Sequence, residues 1–70
     1  MTIAQLQALL LTIAQQKFQA LVDRYTAVDA GNAALAEQRR LDIVKYDLLT
    51  QIVNDGINQL QVIANLTPPP

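Results

Sequence analysis

The chain has 70 residues, of which 51% are hydrophobic, 16% are charged and 4% are aromatic, and its formal net charge is −1. This length allows one small domain, and so apolar a composition excludes an intrinsically disordered chain. The small negative charge argues against a nucleic-acid partner, because phosphate binding needs clustered lysines and arginines.

The sequence lacks the residues that several kinds of catalytic chemistry require. Cysteine and histidine are absent, which removes disulfides, thiolate and imidazole metal ligands and the commonest general acid–base side chain. Serine is absent too, and Asp42 and Asp47 are expected on different sides of a helix. We therefore predict that the protein is not an enzyme and has no catalytic residue, metal site or cofactor. A small-molecule ligand is also disfavoured.

The first predicted element is a helix over about residues 2–29. Thr2 followed by Gln5 matches a capping box, in which each side chain accepts a hydrogen bond from the other residue's backbone amide. Apolar residues then recur at helical spacing and predict one buried face, formed by Ile3, Leu10, Ala14, Phe18, Leu21, Tyr25 and Val28.

The apolar arc of this helix is wider than one neighbouring helix can cover. Leu6, Leu9, Ile13 and Ala20 extend the arc on one flank, and Leu11 and Val22 extend it on the other. With Ile57 of the second helix, these six residues form the predicted interface with another chain. The alternative is a plain excess of leucine that serves no second contact.

Gly31 and Asn32 predict a turn over residues 30–32. Glycine adopts the left-handed conformation that ends many helices, and asparagine is a favoured cap for a following helix. The alternative is one long helix through Gly31, at a cost of about 1 kcal/mol relative to alanine. The hairpin is favoured because it buries the two apolar faces against each other.

A second helix is predicted over about residues 33–66. Its apolar face contains Leu41, Leu48, Leu49, Ile52, Val53, Leu60 and Ile63. The Asn-Asp-Gly sequence at 54–56 is a turn signal that could break this helix, but the apolar phase continues beyond it, which favours an unbroken or slightly kinked helix. The prolines at 68–70 end the helix, so the chain divides into a helical hairpin over 1–66 and a proline tail over 67–70.

Antiparallel pairing about the turn predicts which residues meet. Leu6 should lie near Gly56, and Asp23 should lie near Arg40. Lys45 is expected to cover Phe18 with its stem and to extend its ammonium to water or to Asp42. The predicted core within the chain consists of Leu10, Phe18, Leu21, Leu48, Ile52 and Leu60.

The predicted fold is thus an all-α antiparallel two-helix hairpin that completes its core by oligomerisation or by docking on a partner. A core of this size rarely supplies more than about 3–5 kcal/mol, and oligomerisation is a usual remedy. The first functional hypothesis is therefore a structural or assembly protein within a homo-oligomer or larger complex, such as a virus (phage) particle.

The second hypothesis is a small regulatory or inhibitory protein that docks on another protein or holds a small ligand between chains. DNA binding through Arg39, Arg40 and Lys45 is disfavoured, because three basic residues rarely suffice on a net negative chain. No run approaches the roughly 20 apolar residues of a membrane span, and no secretory signal is recognised. We expect a cytoplasmic location, or a place in a virus particle assembled in the cytoplasm.

Overall fold

The computed structural model describes residues 1–66 and contains two antiparallel helices joined by a tight turn. Helix α1 spans Ile3–Asp29 and helix α2 spans Ala33–Leu66. Within 1–66 the chain forms no strand. The predicted all-α hairpin is confirmed, with helix bounds within one residue of those expected, whereas the predicted proline tail lies outside the described residues.

The capping box at the start of α1 is confirmed. The backbone amide of Gln5 donates to Thr2 Oγ1 at 3.1 Å, and the backbone amide of Thr2 donates to Gln5 Oε1 at 2.8 Å. These two hydrogen bonds occupy amides that the first turn of a helix leaves without partners. The cap therefore places the start of α1 at Ile3.

The turn has the geometry that its residues predict. Gly31 has a φ of 73°, and its amide donates to the carbonyl of Val28 while the Asn32 amide donates to that of Ala27. This pair of bonds is a Schellman motif, which needs a residue in the left-handed conformation. Asn32 then caps α2, because its Oδ1 accepts from the Leu35 amide at 3.2 Å.

Helix α2 continues without a break through the Asn-Asp-Gly sequence at 54–56. A Cβ atom built on Gly56 would lie 3.7 Å from Leu6 Cδ1, which confirms the predicted proximity of these two residues. Ile57 is buried beside Gly56, and Leu60 is half-buried one turn later. Burial against α1 therefore holds this part of α2 helical despite its local turn signal.

The two helices meet along residues that recur at alternating spacings of three and four. We call this set the intrachain seam, and all of its members are buried or half-buried. A seven-residue repeat of this kind is typical of helices that pack side by side as in an antiparallel coiled coil. The seam consists of Ile3, Leu6, Leu10, Ile13, Lys17, Ala20, Arg24 and Ala27 from α1, and of Ala36, Arg39, Ile43, Tyr46, Thr50, Val53, Ile57 and Leu60 from α2.

The hydrophobic core occupies the half of the hairpin away from the turn. Ile13, Val53 and Ile57 form its buried centre, and half-buried apolar residues pack around them, namely Ile3, Leu6, Leu9, Leu10 and Tyr46. Nearer the turn the seam contains small or charged residues instead, including Ala20, Ala27, Lys17, Arg24 and Arg39. The turn-proximal half therefore buries little apolar side chain.

The predicted intrachain core is wrong for three of its six residues. Phe18 and Ile52 are 67% and 65% exposed, and Leu48 is exposed as well. Leu10, Leu21 and Leu60 are half-buried. The small side chains of Ala20 and Ala27 let the two backbones approach closely, so the helices meet there and the larger neighbouring side chains point away.

Candidate interaction surfaces

The structure places the predicted interface residues on two different kinds of surface. Ile13, Ala20 and Ile57 are buried within the hairpin itself, so the expectation that the hairpin leaves them exposed to another chain is wrong. Leu6 and Leu9 are half-buried and pack against the hairpin's own core. Leu11 and Val22 are exposed. Contact with a second chain stays a prediction, and these last two residues present the most surface for it.

A second apolar stripe runs along α1 beside the intrachain seam. It repeats the same alternating spacings of three and four and contains no charged residue. Four of its members, Leu11, Phe18, Tyr25 and Val28, are more than half exposed, and Phe18 and Tyr25 reach 67% each. We call it the α1 outer stripe, and it consists of Leu11, Ala14, Phe18, Leu21, Tyr25 and Val28.

Helix α2 also carries exposed apolar residues, but charges interrupt them. Large side chains are exposed at Leu41, Leu48, Ile52, Val62 and Leu66, which we call the α2 outer stripe. Lys45, Asp55 and Gln59 occupy the intervening positions at the same helical spacing. Because burial of an unpaired charge is costly, this stripe is less suited to complete coverage than the α1 outer stripe.

One ion pair joins the two helices. Lys17 Nζ lies 2.5 Å from Asp47 Oδ1, and both side chains are partly exposed. The predicted pair between Asp23 and Arg40 is wrong, because Asp23 accepts from Gln19 Nε2 at 3.0 Å instead. An exposed pair such as Lys17–Asp47 contributes at most about 1 kcal/mol, so it orients the helices more than it stabilises them.

Arg40 pairs within α2 rather than across the hairpin. Its guanidinium donates to both carboxylate oxygens of Glu37, at 2.6 Å and 2.9 Å. The hydrogen bond from Arg40 lowers the pKa of Glu37, and the positive charges of Arg40 and Arg24 lower it further, while desolvation opposes them. The same contact raises the pKa of Arg40.

Lys45 is exposed to water, which is one predicted alternative, and it does not pair with Asp42, which is the other. Its ammonium lies 4.9 Å from the centroid of the Tyr46 ring, a cation–π geometry. Asp42, the expected acceptor, instead binds Arg39 Nη1 at 2.6 Å. Phe18 is 67% exposed, so the prediction that the stem of Lys45 covers it is wrong.

An open cleft of about 300 Å³ lies beside the turn. Arg24 and Glu37 line it with opposite charges, and Val28, Ala33 and Ala36 supply apolar wall. This mixture selects no particular class of ligand. Among the described residues no group of acidic side chains could hold a metal ion, and neither helix is long and apolar enough to cross a membrane.

The fold places the described chain among short antiparallel helical hairpins, with exposed apolar stripes on both helices. Comparison of the chain with protein-family models, curated proteins and solved structures gives no match. Any functional assignment must therefore come from the surfaces themselves.

Proposed function

We propose that this chain is a non-enzymatic structural or assembly protein whose hairpin packs with further chains into a homo-oligomer or larger complex. The observation that carries the proposal is the imbalance between buried and exposed apolar side chains. Among residues 1–66 five are buried, and two of them are alanines, while both outer stripes leave large side chains in water.

The shape of the hairpin explains this imbalance. The described chain extends over 62 × 15 × 12 Å, so it is one pair of helices thick and cannot enclose an interior. Burial of apolar surface stabilises a protein by about 25 cal/mol per Å². Association with another chain is the available way to gain that stabilisation, because no further element of the described chain covers the stripes.

A repetitive assembly suits a component of this kind. Extended contiguous apolar patches usually mark interaction sites on soluble proteins. Short hairpins can supply such contacts repeatedly, and a virus particle assembled in the cytoplasm is one setting for them. Nothing in the chemistry of the described residues favours a reaction over such a structural role.

Sedimentation equilibrium of the purified chain across micromolar concentrations tests the proposal. The wild-type mass should exceed that of the monomer, and Leu11→Glu should shift it towards the monomer by placing a charge in an apolar contact. Gln16→Glu is a matched control, since it adds the same charge at an exposed polar position on the side of α1 away from Leu11. A folded, soluble wild-type monomer throughout this range would contradict the proposal and favour a regulatory binding protein.

A further inference from the structure

We propose that the α1 outer stripe pairs with the same stripe of a second copy, antiparallel about a twofold axis, to form a four-helix bundle. The inference rests on the proposed function, and it names the face, the partner and the register. Its axis passes between the levels of Phe18 and Leu21, at the centre of the stripe.

The spacing of the stripe shows what kind of partner it fits. It repeats at three and four residues, as does the intrachain seam that α2 already covers. A continuous repeat of this kind presents side chains to a second helix along its whole length. The stripe runs from Leu11 to Val28, or roughly 26 Å at the rise of an α-helix, which is several turns of helix contact.

The stripe is large enough for a dimer. Phe18 and Tyr25, each two-thirds exposed, leave roughly 130 Å² apiece in water on the usual area of aromatic side chains. Leu11, Val28 and the adjacent Val22 bring the total to roughly 500 Å² per chain. Two copies together therefore offer roughly 1,000 Å² of exposed apolar area, which is about the smallest total that a specific interface buries.

The distribution of charged residues favours α1 over α2 as the helix that binds a second copy. A twofold axis sets the stripe against the same stripe of the second copy, so any charge within the stripe would be buried in the interface. The α1 outer stripe has none, and the adjacent Lys17 is already paired with Asp47 of its own chain. The α2 outer stripe would bring Lys45 and Asp55 into the interface.

Side-chain size favours the antiparallel direction. Full overlap sets Leu11 opposite Val28 of the second copy, Ala14 opposite its Tyr25, and Phe18 opposite its Leu21. The small Ala14 then makes room for the tyrosine ring, as close packing requires. A parallel pair would set Ala14 against Ala14 and Tyr25 against Tyr25, with a gap at one level and crowding at the other.

Cross-linking tests the register, because the chain has no native cysteine. Leu11→Cys and Val28→Cys chains should form a disulfide-linked dimer when they are mixed under mild oxidation, and neither should form one efficiently alone. Efficient linkage of Leu11→Cys to itself would mean parallel pairing and would overturn the proposal. No linkage in the mixture would also overturn it.

Two charge substitutions of nearly equal exposure test the face. Phe18→Glu should raise the dimer dissociation constant by at least about tenfold, as expected for an aromatic residue at the centre of an interface. Ile52→Glu, on the α2 outer stripe, should leave it within about threefold. Circular dichroism should show that both variants remain helical.

The outcomes separate this inference from the proposed function. If the wild type associates but Ile52→Glu dissociates it and Phe18→Glu does not, the α1 face is wrong while the assembly role stands. Association into an open-ended series of masses would likewise overturn the twofold dimer alone. If the wild type stays monomeric, both proposals fail.

Discussion

Leu6 faces Gly56 across the hairpin, and a Cβ atom on Gly56 would lie 3.7 Å from Leu6 Cδ1. This proximity and the Lys17–Asp47 ion pair mark the register of the two helices at separate levels. Residues that face each other on the two helices therefore have numbers that sum to about 63, which fits an antiparallel heptad pattern. Three predictions test packing and the turn, and two test the polar groups at the start of α2.

Gly56→Ala should raise the free energy of unfolding by about 0.5–1 kcal/mol. The new methyl group would make an ordinary van der Waals contact with Leu6, and alanine favours the helix that Gly56 already adopts. Urea denaturation followed by circular dichroism measures the change. A loss of stability would show that Leu6 and α2 lie closer than the structure places them.

Gly31→Val should lower the free energy of unfolding by more than about 1 kcal/mol. The φ of 73° at Gly31 suits glycine, and a β-branched side chain is strained there although no atom lies within 4 Å of its Cβ. Gly31→Asn is the control, because asparagine adopts this conformation more readily, so its loss should be smaller. Thermal unfolding of both variants makes the comparison, and equal losses would contradict it.

Ile13→Ala should lower the free energy of unfolding by about 2–5 kcal/mol, because Ile13 is 5% exposed at the centre of the core. Phe18→Ala should cost a dilute, monomeric hairpin less than about 1 kcal/mol, since its ring is exposed. Denaturation at several protein concentrations distinguishes the effects of the two substitutions. The Ile13 effect should persist on dilution, and the Phe18 effect should shrink.

Asn32→Ala should lower the free energy of unfolding by about 1 kcal/mol, because it removes the acceptor for the Leu35 amide at the start of α2. Asn32→Asp should retain most of the stability, since its carboxylate can accept the same hydrogen bond. Chemical denaturation compares the two. Equal stability of the alanine and wild-type chains would show that the side chain does not act as a cap.

The carboxyl group of Glu37 should titrate below its ordinary pKa, because Arg40 hydrogen-bonds its charged form. A lowered pKa in the folded state stabilises the hairpin above the unfolded-state pKa, and that contribution disappears as the pH falls through the folded-state pKa. Nuclear magnetic resonance titration of the carboxyl carbon measures the shift. Arg40→Gln should move the pKa back towards its ordinary value, and an unchanged titration would show that the pair does not persist in solution.

Local chemistry in the sequence was sufficient to predict both helices, their caps and the turn. Thr2 with Gln5 and Gly31 with Asn32 act through hydrogen bonds and dihedral angles within a few residues, so their effects can be read without the tertiary structure. The proximity of Leu6 and Gly56 was also predictable, because the position of a tight turn sets the register of an antiparallel pair.

The face that each helix buries was decided only by the tertiary structure. Helix α1 contains two regular stripes side by side, and the one without charged residues, which includes Phe18, favoured the wrong face. The helices pack instead through Ala20 and Ala27 near the turn and through Ile13 farther from it. The reason is that packing depends on how closely two backbones approach and on what the opposite helix presents, and neither is a property of one helix alone.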